Sequence, residues 1–496
     1  MRRALIFACL FSMALPVTAE STLAEEPGSE ATLDIGSRLE LFVDDYLIES
    51  MDGVKLELHE PRTAGKVLTF DKPWEGTTSA YATVFKDEDH YRMYYRGSSA
   101  PEYTATSLLT EGEVVPEGHP SVTCMAESRD GVVWSRPSLG LYEFNGSKDN
   151  NIVLTGSSSC CFAPFKDPNP DAPASERYKA VDTGHISGKP VLMGFVSGDG
   201  KSWKPASDEP LLTDGAFDSL NVAFWDSVRE KYVAIYRKGR NGVRSIRHSS
   251  TRDFRDWPVG QWCEFGESPP EHLYTNATTP YFRAPQIYLA FPRRFLPWRT
   301  LPLYQDLIAP GASDVVLMSS RDGIHWDRRF LEAFIRPGRD TRNWPHRANT
   351  PAWGLLSTAP DEISLYVERH YTFPSIHVER FVLRTDGFVS LNAGYPGGEL
   401  VTKPLVFQGD NLVLNFATSA AGSIRLEIQD AQGNPLPGFA LEESPLIWGD
   451  EIEHTVRWER THAKTTSDKP LARIAGKPVR LRFVMKDADL YSLRFR

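Results

Sequence analysis

Short runs of aromatic and β-branched residues, separated by clusters of Gly, Pro, Asn and Asp, dominate the chain from about residue 80. They come largely in pairs: Tyr81 to Phe85 with His90 to Tyr95, Cys161 to Phe165 with Tyr178 to Asp182, and Val222 to Trp225 with Tyr232 to Arg237. Tyr281 to Phe291, and then Ala352 to Leu356 with Ile363 to Glu368, continue the series. Each run has the length of a strand, and long helical periodicity is nearly missing. With 36 Pro and 36 Gly as punctuation, the pattern predicts an all-β fold.

A turn motif repeats after these pairs. Ser-x-Asp-Gly-x-x-Trp occurs as Ser128, Asp130, Gly131, Trp134, as Ser197, Asp199, Gly200, Trp203, and as Ser320, Asp322, Gly323, Trp326. A degenerate copy, Thr251, Asp253, Asp256, Trp257, lies between the second and third, and Thr385, Asp386, Gly387, Phe388 closes the series. The aspartates are 69, 54, 69 and 64 residues apart. Asp can cap its own turn, Gly accepts positive φ, and the aromatic packs between sheets, so the motif is read as structural. Five copies predict five radially arranged sheets, an arrangement that leaves only short edges. A five-bladed β-propeller is therefore expected over residues 35–396. Beyond about Gly397 the period stops, and runs such as Leu412 to Phe416, Ser423 to Ile428 and Val479 to Met485 predict a C-terminal β-sandwich over 397–496.

The N-terminus reads differently. Arg2 and Arg3 precede an apolar run from Ala4 to Val17 and the small-residue site Val17-Thr18-Ala19. This is the pattern of a secretory signal peptide, residues 1–19, too short for a stable membrane span. A secreted or periplasmic protein is expected, with no membrane span.

Composition narrows the partners. The formal net charge is −10, and loss of residues 1–19 would make it −12, so nucleic acid is not expected as a partner. Four cysteines remain, Cys124, Cys160, Cys161 and Cys263, in no zinc-like spacing. The scattered histidines suggest no metal site either, and no cofactor is expected. Oligomeric state is left open.

Three segments carry a resemblance: Lys72-Pro73-Trp74-Glu75, Tyr91-Arg92-Met93-Tyr94-Tyr95-Arg96, and Phe165-Lys166-Asp167-Pro168, the last like an Arg-Asp-Pro element with Lys in place of Arg. With the expected architecture, the chain resembles a distant branch of the invertase and arabinanase superfamily of glycoside hydrolases. The resemblance implies that the working acids lie where the inner strands converge on an axis.

Glycoside hydrolysis needs two carboxyl groups, one to give a proton and one to act as nucleophile or base. The catalytic candidates are Asp44, Asp45, Asp218 and Glu368. Asp44 and Asp45 interrupt the apolar run Leu41 to Ile48, where charge is costly to bury, although an Asp-Asp turn gives the same pattern. Asp218 leads into the third inner strand, as a catalytic acid or a strand cap. Glu368 ends a buried run and precedes Arg369, His370 and Tyr371. The candidate sugar-binding residues are Glu75, Arg96, Asp167, Asn221, Arg237, Arg283, His346 and Arg347. Arg96, Arg237 and Arg294 each end an inner strand pair, which suggests guanidinium groups around a channel mouth or salt bridges between blades. The sequence thus predicts a secreted glycoside hydrolase with a carbohydrate substrate. A non-catalytic carbohydrate-binding or scaffold propeller is the alternative from another class, and a sialidase-like enzyme a third.

Overall fold

The computed structural model describes residues 32–156, 159–305, 310–345, 347–458 and 470–496. The expected signal segment, 1–19, and His346 lie outside the described residues. Among the described residues the fold is all-β, with seven short 3-10 turns and no longer helix, and no helix is long and apolar enough to cross a membrane.

Five groups of antiparallel strands follow one another along the chain. The first sheet joins Ala80–Asp87, His90–Ser99, His119–Ser128 and Ile152–Thr155, and the second joins Ala163–Lys166, Tyr178–Ile186, Lys189–Ser197 and Lys204–Pro205. The third runs through Val222–Asp226, Lys231–Arg240, Val243–Thr251 and Gln261–Trp262. The fourth is split into two short ladders, one containing Thr279–Tyr281 and Ala284–Ala290, the other His272–Thr275 and Arg293–Leu296. In the fifth, Thr350–Pro351, Glu362–Arg369 and His377–Arg384 are completed by an early strand, Arg62–Thr69. Neighbouring groups touch in cyclic order, and a parallel bridge between Thr83 and Trp353 joins the fifth group back to the first. Pairing an early strand into the last sheet leaves no open seam, which keeps unpaired backbone groups out of solvent.

The repeated turns behave alike. In each full copy the Asp side chain accepts from the two following amides, Val132 and Val133, Lys201 and Ser202, or Ile324 and His325, at 2.8–2.9 Å. The Trp Nε1 donates back to the glycine carbonyl at 3.0–3.2 Å. Tyr366 of the fifth sheet donates to Gly131 O, and Tyr94 of the first to Gly200 O, 2.6 Å, so these turns also tie neighbouring sheets. The fifth copy differs: Asp386 is fully buried and takes bonds from Tyr281, Arg283, Asn415 and Ser492.

The C-terminal region does not stand alone. Leu412–Asp430 and Val479–Phe495 pair over most of their length, but their sheet also recruits Leu33–Gly36, Glu40–Leu41, Ile48–Asp52, Val54–Leu58 and Val389–Ala393. The expected boundary at residue 397 is therefore crossed by hydrogen bonds from strands between residues 33 and 58. Ile35 and Val54 of those strands, with Phe42 and Leu47 from the segment between them, join Leu414, Phe416, Phe483 and Phe495 in one apolar core.

Candidate functional site

One side chain from each of the five sheets, always from a strand next to the innermost, reaches the same end of the ring: Arg96, Asp182, Arg237, Arg293 and Glu368. The innermost strands begin at this end, adding Tyr81 and Tyr274 within them and Cys160, Asp218 and Arg347 just before them, and Tyr371 lies in the turn after Glu362–Arg369. Several residues here hold positive φ without being glycine, namely Tyr81 at 60°, Ala277 at 43°, Asn349 at 63°, His370 at 57° and Thr372 at 77°. Aromatic and β-branched residues rarely adopt this region, and such strain tends to gather where a fold holds side chains for a task.

Charge dominates the arrangement. Arg237 is ion-paired with Asp218, whose side chain is 64% exposed. Arg96 donates to Thr78 O at 2.7 Å, to the Tyr371 hydroxyl at 3.3 Å and to Cys160 Sγ at 3.6 Å. Arg293 is buried and donates to Arg347 O, 3.0 Å, and Thr350 Oγ1, 2.6 Å. Arg293, Arg237 and Arg244 all lie against the ring of Tyr274, at 4.1, 4.7 and 5.0 Å from its centroid. Burial would raise the Tyr274 phenol, but Arg293, Arg237 and Arg347 outweigh it and pull the group below its ordinary value.

Two carboxyls are enclosed. Glu368 takes one bond, from the Ala82 amide at 2.8 Å to Oε1, while Oε2 has no hydrogen-bond partner among the described residues. Burial pushes its pKa up to about 7, against the lowering effect of the Ala82 amide, Arg96 and Arg293. Asp182 accepts from the Cys161 amide at 2.8 Å and the Thr183 amide at 2.6 Å through Oδ1, while Oδ2 has no partner among the described residues. Burial drives it well above the ordinary carboxylate range. The Cys160 thiol is lowered to about 6 by the adjoining Cys161 thiol, 3.1 Å away, and by Arg96.

Of the residues expected from sequence, this end holds Asp218, Glu368, Arg96, Arg237 and Arg347. Asn221 lies just behind: its Oδ1 accepts from the Arg237 amide at 2.9 Å, so it positions that strand. Five expected residues lie elsewhere. Asp44 pairs with Arg321 at 2.7 Å and Asp45 with Arg329 at 3.3 Å, both beside the outer Asp322-Gly323 turn. Glu75 is fully buried and consumed by Tyr95, Arg136 and the Lys72 amide. Asp167, past the opposite end of its strand, is bound to Lys179 at 2.6 Å and Tyr232 at 2.7 Å. Arg283 joins Asp386 to Glu453 near the C-terminal sheet. Arg294 also turns away, to Asp314, and its neighbour Arg293 faces inward instead, because successive strand residues face opposite sides.

Asp182, Tyr81, Tyr274, Arg244 and Arg293 were missed. The signal for Asp182 was available as a lone acid at the end of an apolar strand run. Among the described residues no three His, Cys, Asp or Glu side chains are grouped as a metal site.

No family model matches the chain, and no curated protein matches it by sequence. Solved structures similar to it include a glycoside hydrolase at 11% identity, covering 66% of this chain and 92% of that one, with a TM-score of 0.43. Another is a GH130 structure described with glycoside hydrolases that target β-1,2 mannosidic linkages in Candida mannan, at 12% identity, 70% and 96% coverage and a TM-score of 0.40. A third is an N-acetylgalactosamine deacetylase from F. plautii in complex with blood group B trisaccharide, at 10% identity, 67% and 96% coverage and a TM-score of 0.42.

Proposed function

We propose that this protein is an exported five-bladed β-propeller with a C-terminal β-sandwich, and that it cleaves a glycosidic bond at the arginine-lined end of the ring. The observation that carries the reading is Glu368: a fully enclosed carboxyl, one oxygen unpaired, with its pKa near 7. A carboxyl that keeps its proton close to neutrality is suited to protonate a leaving sugar oxygen. Asp218, the exposed acid of the same cluster, is assigned as the nucleophile or as the base for water. Asp44 and Asp45 have no part in it.

Glu368→Gln preserves shape and removes the proton donor, and turnover is expected to fall about 10²- to 10⁴-fold. Asp218→Asn is expected to lose activity as well. Both variants are assayed, with their folding checked by circular dichroism, on a glycan panel that includes a substrate of the parent. Full activity in folded Glu368→Gln refutes the assignment. The complete burial of Glu368 favours a second reading, a carbohydrate-binding ring without turnover, and a parent that binds a glycan but cleaves none would establish that reading instead.

A further inference from the structure

Five guanidinium groups, Arg96, Arg237, Arg244, Arg293 and Arg347, share this end of the ring with one exposed carboxylate, Asp218. The other two carboxyls, Asp182 and Glu368, are driven by burial toward their neutral forms and offset little of that charge. Like charges held together in a partly dry site repel, and each buried cation normally needs a counter-charge or hydrogen-bond partners. Here the partners are incomplete. Arg293 is 1% exposed, yet among the described residues its Nε and Nη2 have no hydrogen-bond partner, and neither do the Nε atoms of Arg96 and Arg347. Three guanidiniums pressed on one phenol, Tyr274, partly compensate through the ring face, which is a weaker substitute for an anion.

We propose that the sugar unit received at this end carries an anionic group, a carboxylate or a sulfate, bound by Arg237, Arg293 and Arg347 with Arg244 beside them. This inference rests on the carbohydrate reading given above. A planar guanidinium matches two oxygens of either group with two parallel bonds, which an uncharged hydroxyl cannot reproduce. An acidic sugar supplies the missing counter-charge, and a neutral one leaves the excess where it is. Asp218, paired to Arg237, then sits beside the anion and excludes a second negative group from its own position.

The test titrates the full-length mature chain with three oligosaccharides of matched length: an oligogalacturonate, a sulfated galactan oligomer and an uncharged galactan oligomer. At least one charged ligand is expected to bind ten times or more tighter than the neutral one, and that advantage shrinks as salt rises. Which one does so separates carboxylate from sulfate. Arg237→Gln and Arg347→Gln are each expected to weaken the charged ligand by about ten- to a hundredfold, the usual size for a hydrogen bond to a charged group, and to weaken the neutral one by less, so that the charged preference shrinks. If Arg237→Gln fails to fold, Arg244→Gln, which is half-buried, replaces it. Equal binding of the neutral oligomer, binding of none of the three, or a charged preference that survives substitution in folded variants overturns the inference. Turnover is followed on the same ligands. An acidic oligomer bound but never cleaved removes the hydrolase reading and leaves this inference standing, and cleavage of the neutral oligomer alone does the reverse.

Discussion

The two ends of the inner strands enclose opposite chemistries. At one end Arg96, Arg237, Arg293, Asp182 and Glu368 converge, several with polar atoms that no neighbour satisfies. At the other, Phe165, Trp225, Phe282 and Trp353 line a cavity of about 540 Å³, and two of its charged lining residues are paired, Asp167 with Lys179 at 2.6 Å and Lys166 with Asp87 at 2.8 Å. Both ends are built by the same strands, so the strand pairing cannot account for the difference. Buried polar groups are ordinarily paired, and the unpaired guanidinium and carboxyl atoms gathered among the described residues of the polar end are the ground for proposing that a ligand binds there. The apolar side closes the ring and supports the strands that hold the polar side.

Substitutions at the two ends should therefore fail in different ways. The largest effect is expected from Glu368→Gln, a loss of about 10²- to 10⁴-fold in turnover with the fold retained. Phe165→Ala, at the other end, is expected to cost about 3–5 kcal/mol of stability, because a buried ring packed on Phe254 and Trp353 leaves a void. Its surviving folded fraction, separated by denaturant titration, should turn over like the parent. A Phe165→Ala protein that is stable but inactive would erase the distinction between the ends.

The next effect is in pH. A carboxyl whose folded pKa, about 7, lies above the ordinary value of 4.5 stabilises the fold fully below pH 4.5 and loses that contribution as pH rises through 7. The shift corresponds to roughly 3 kcal/mol at most. Unfolding free energy measured between pH 4.5 and 7.5 should fall in the parent, and the fall should be smaller in Glu368→Gln by about that amount. Activity should decline above pH 7 for the same reason. The smallest effect is expected for Asp45→Asn: its side chain is 70% exposed and remote from the arginine cluster, so stability should change by no more than about 0.5 kcal/mol and turnover not at all. A large loss of turnover there would return the outer turn to the site.

The strands and the repeated turns were legible in the sequence because their signals are local. Asp130, Asp199 and Asp322 cap the amides that follow them, and the aromatic runs became the strands of the five groups. What was not legible depends on distant pairing. Residues 33–58 alternate like any other strands, and nothing within them says that their partners lie at residue 389 and beyond. Site residues divide the same way. Glu368 and Arg237 stood at the ends of recognisable runs, whereas choosing Arg293 over Arg294 required the register of its strand, which one residue reverses. Asp44 and Asp45 attracted notice because charge interrupts an apolar run, but Arg321 and Arg329, some 280 residues on, answer that charge.

The claim that the polar end of the ring receives the sugar is tested most directly by a crystal structure of Glu368→Gln with an acidic oligosaccharide bound. The account predicts the ligand against Arg237, Arg293 and Arg347, with a sugar oxygen beside residue 368. An oligosaccharide seated in the cavity between Trp225 and Trp353, or on the C-terminal sheet, would contradict it.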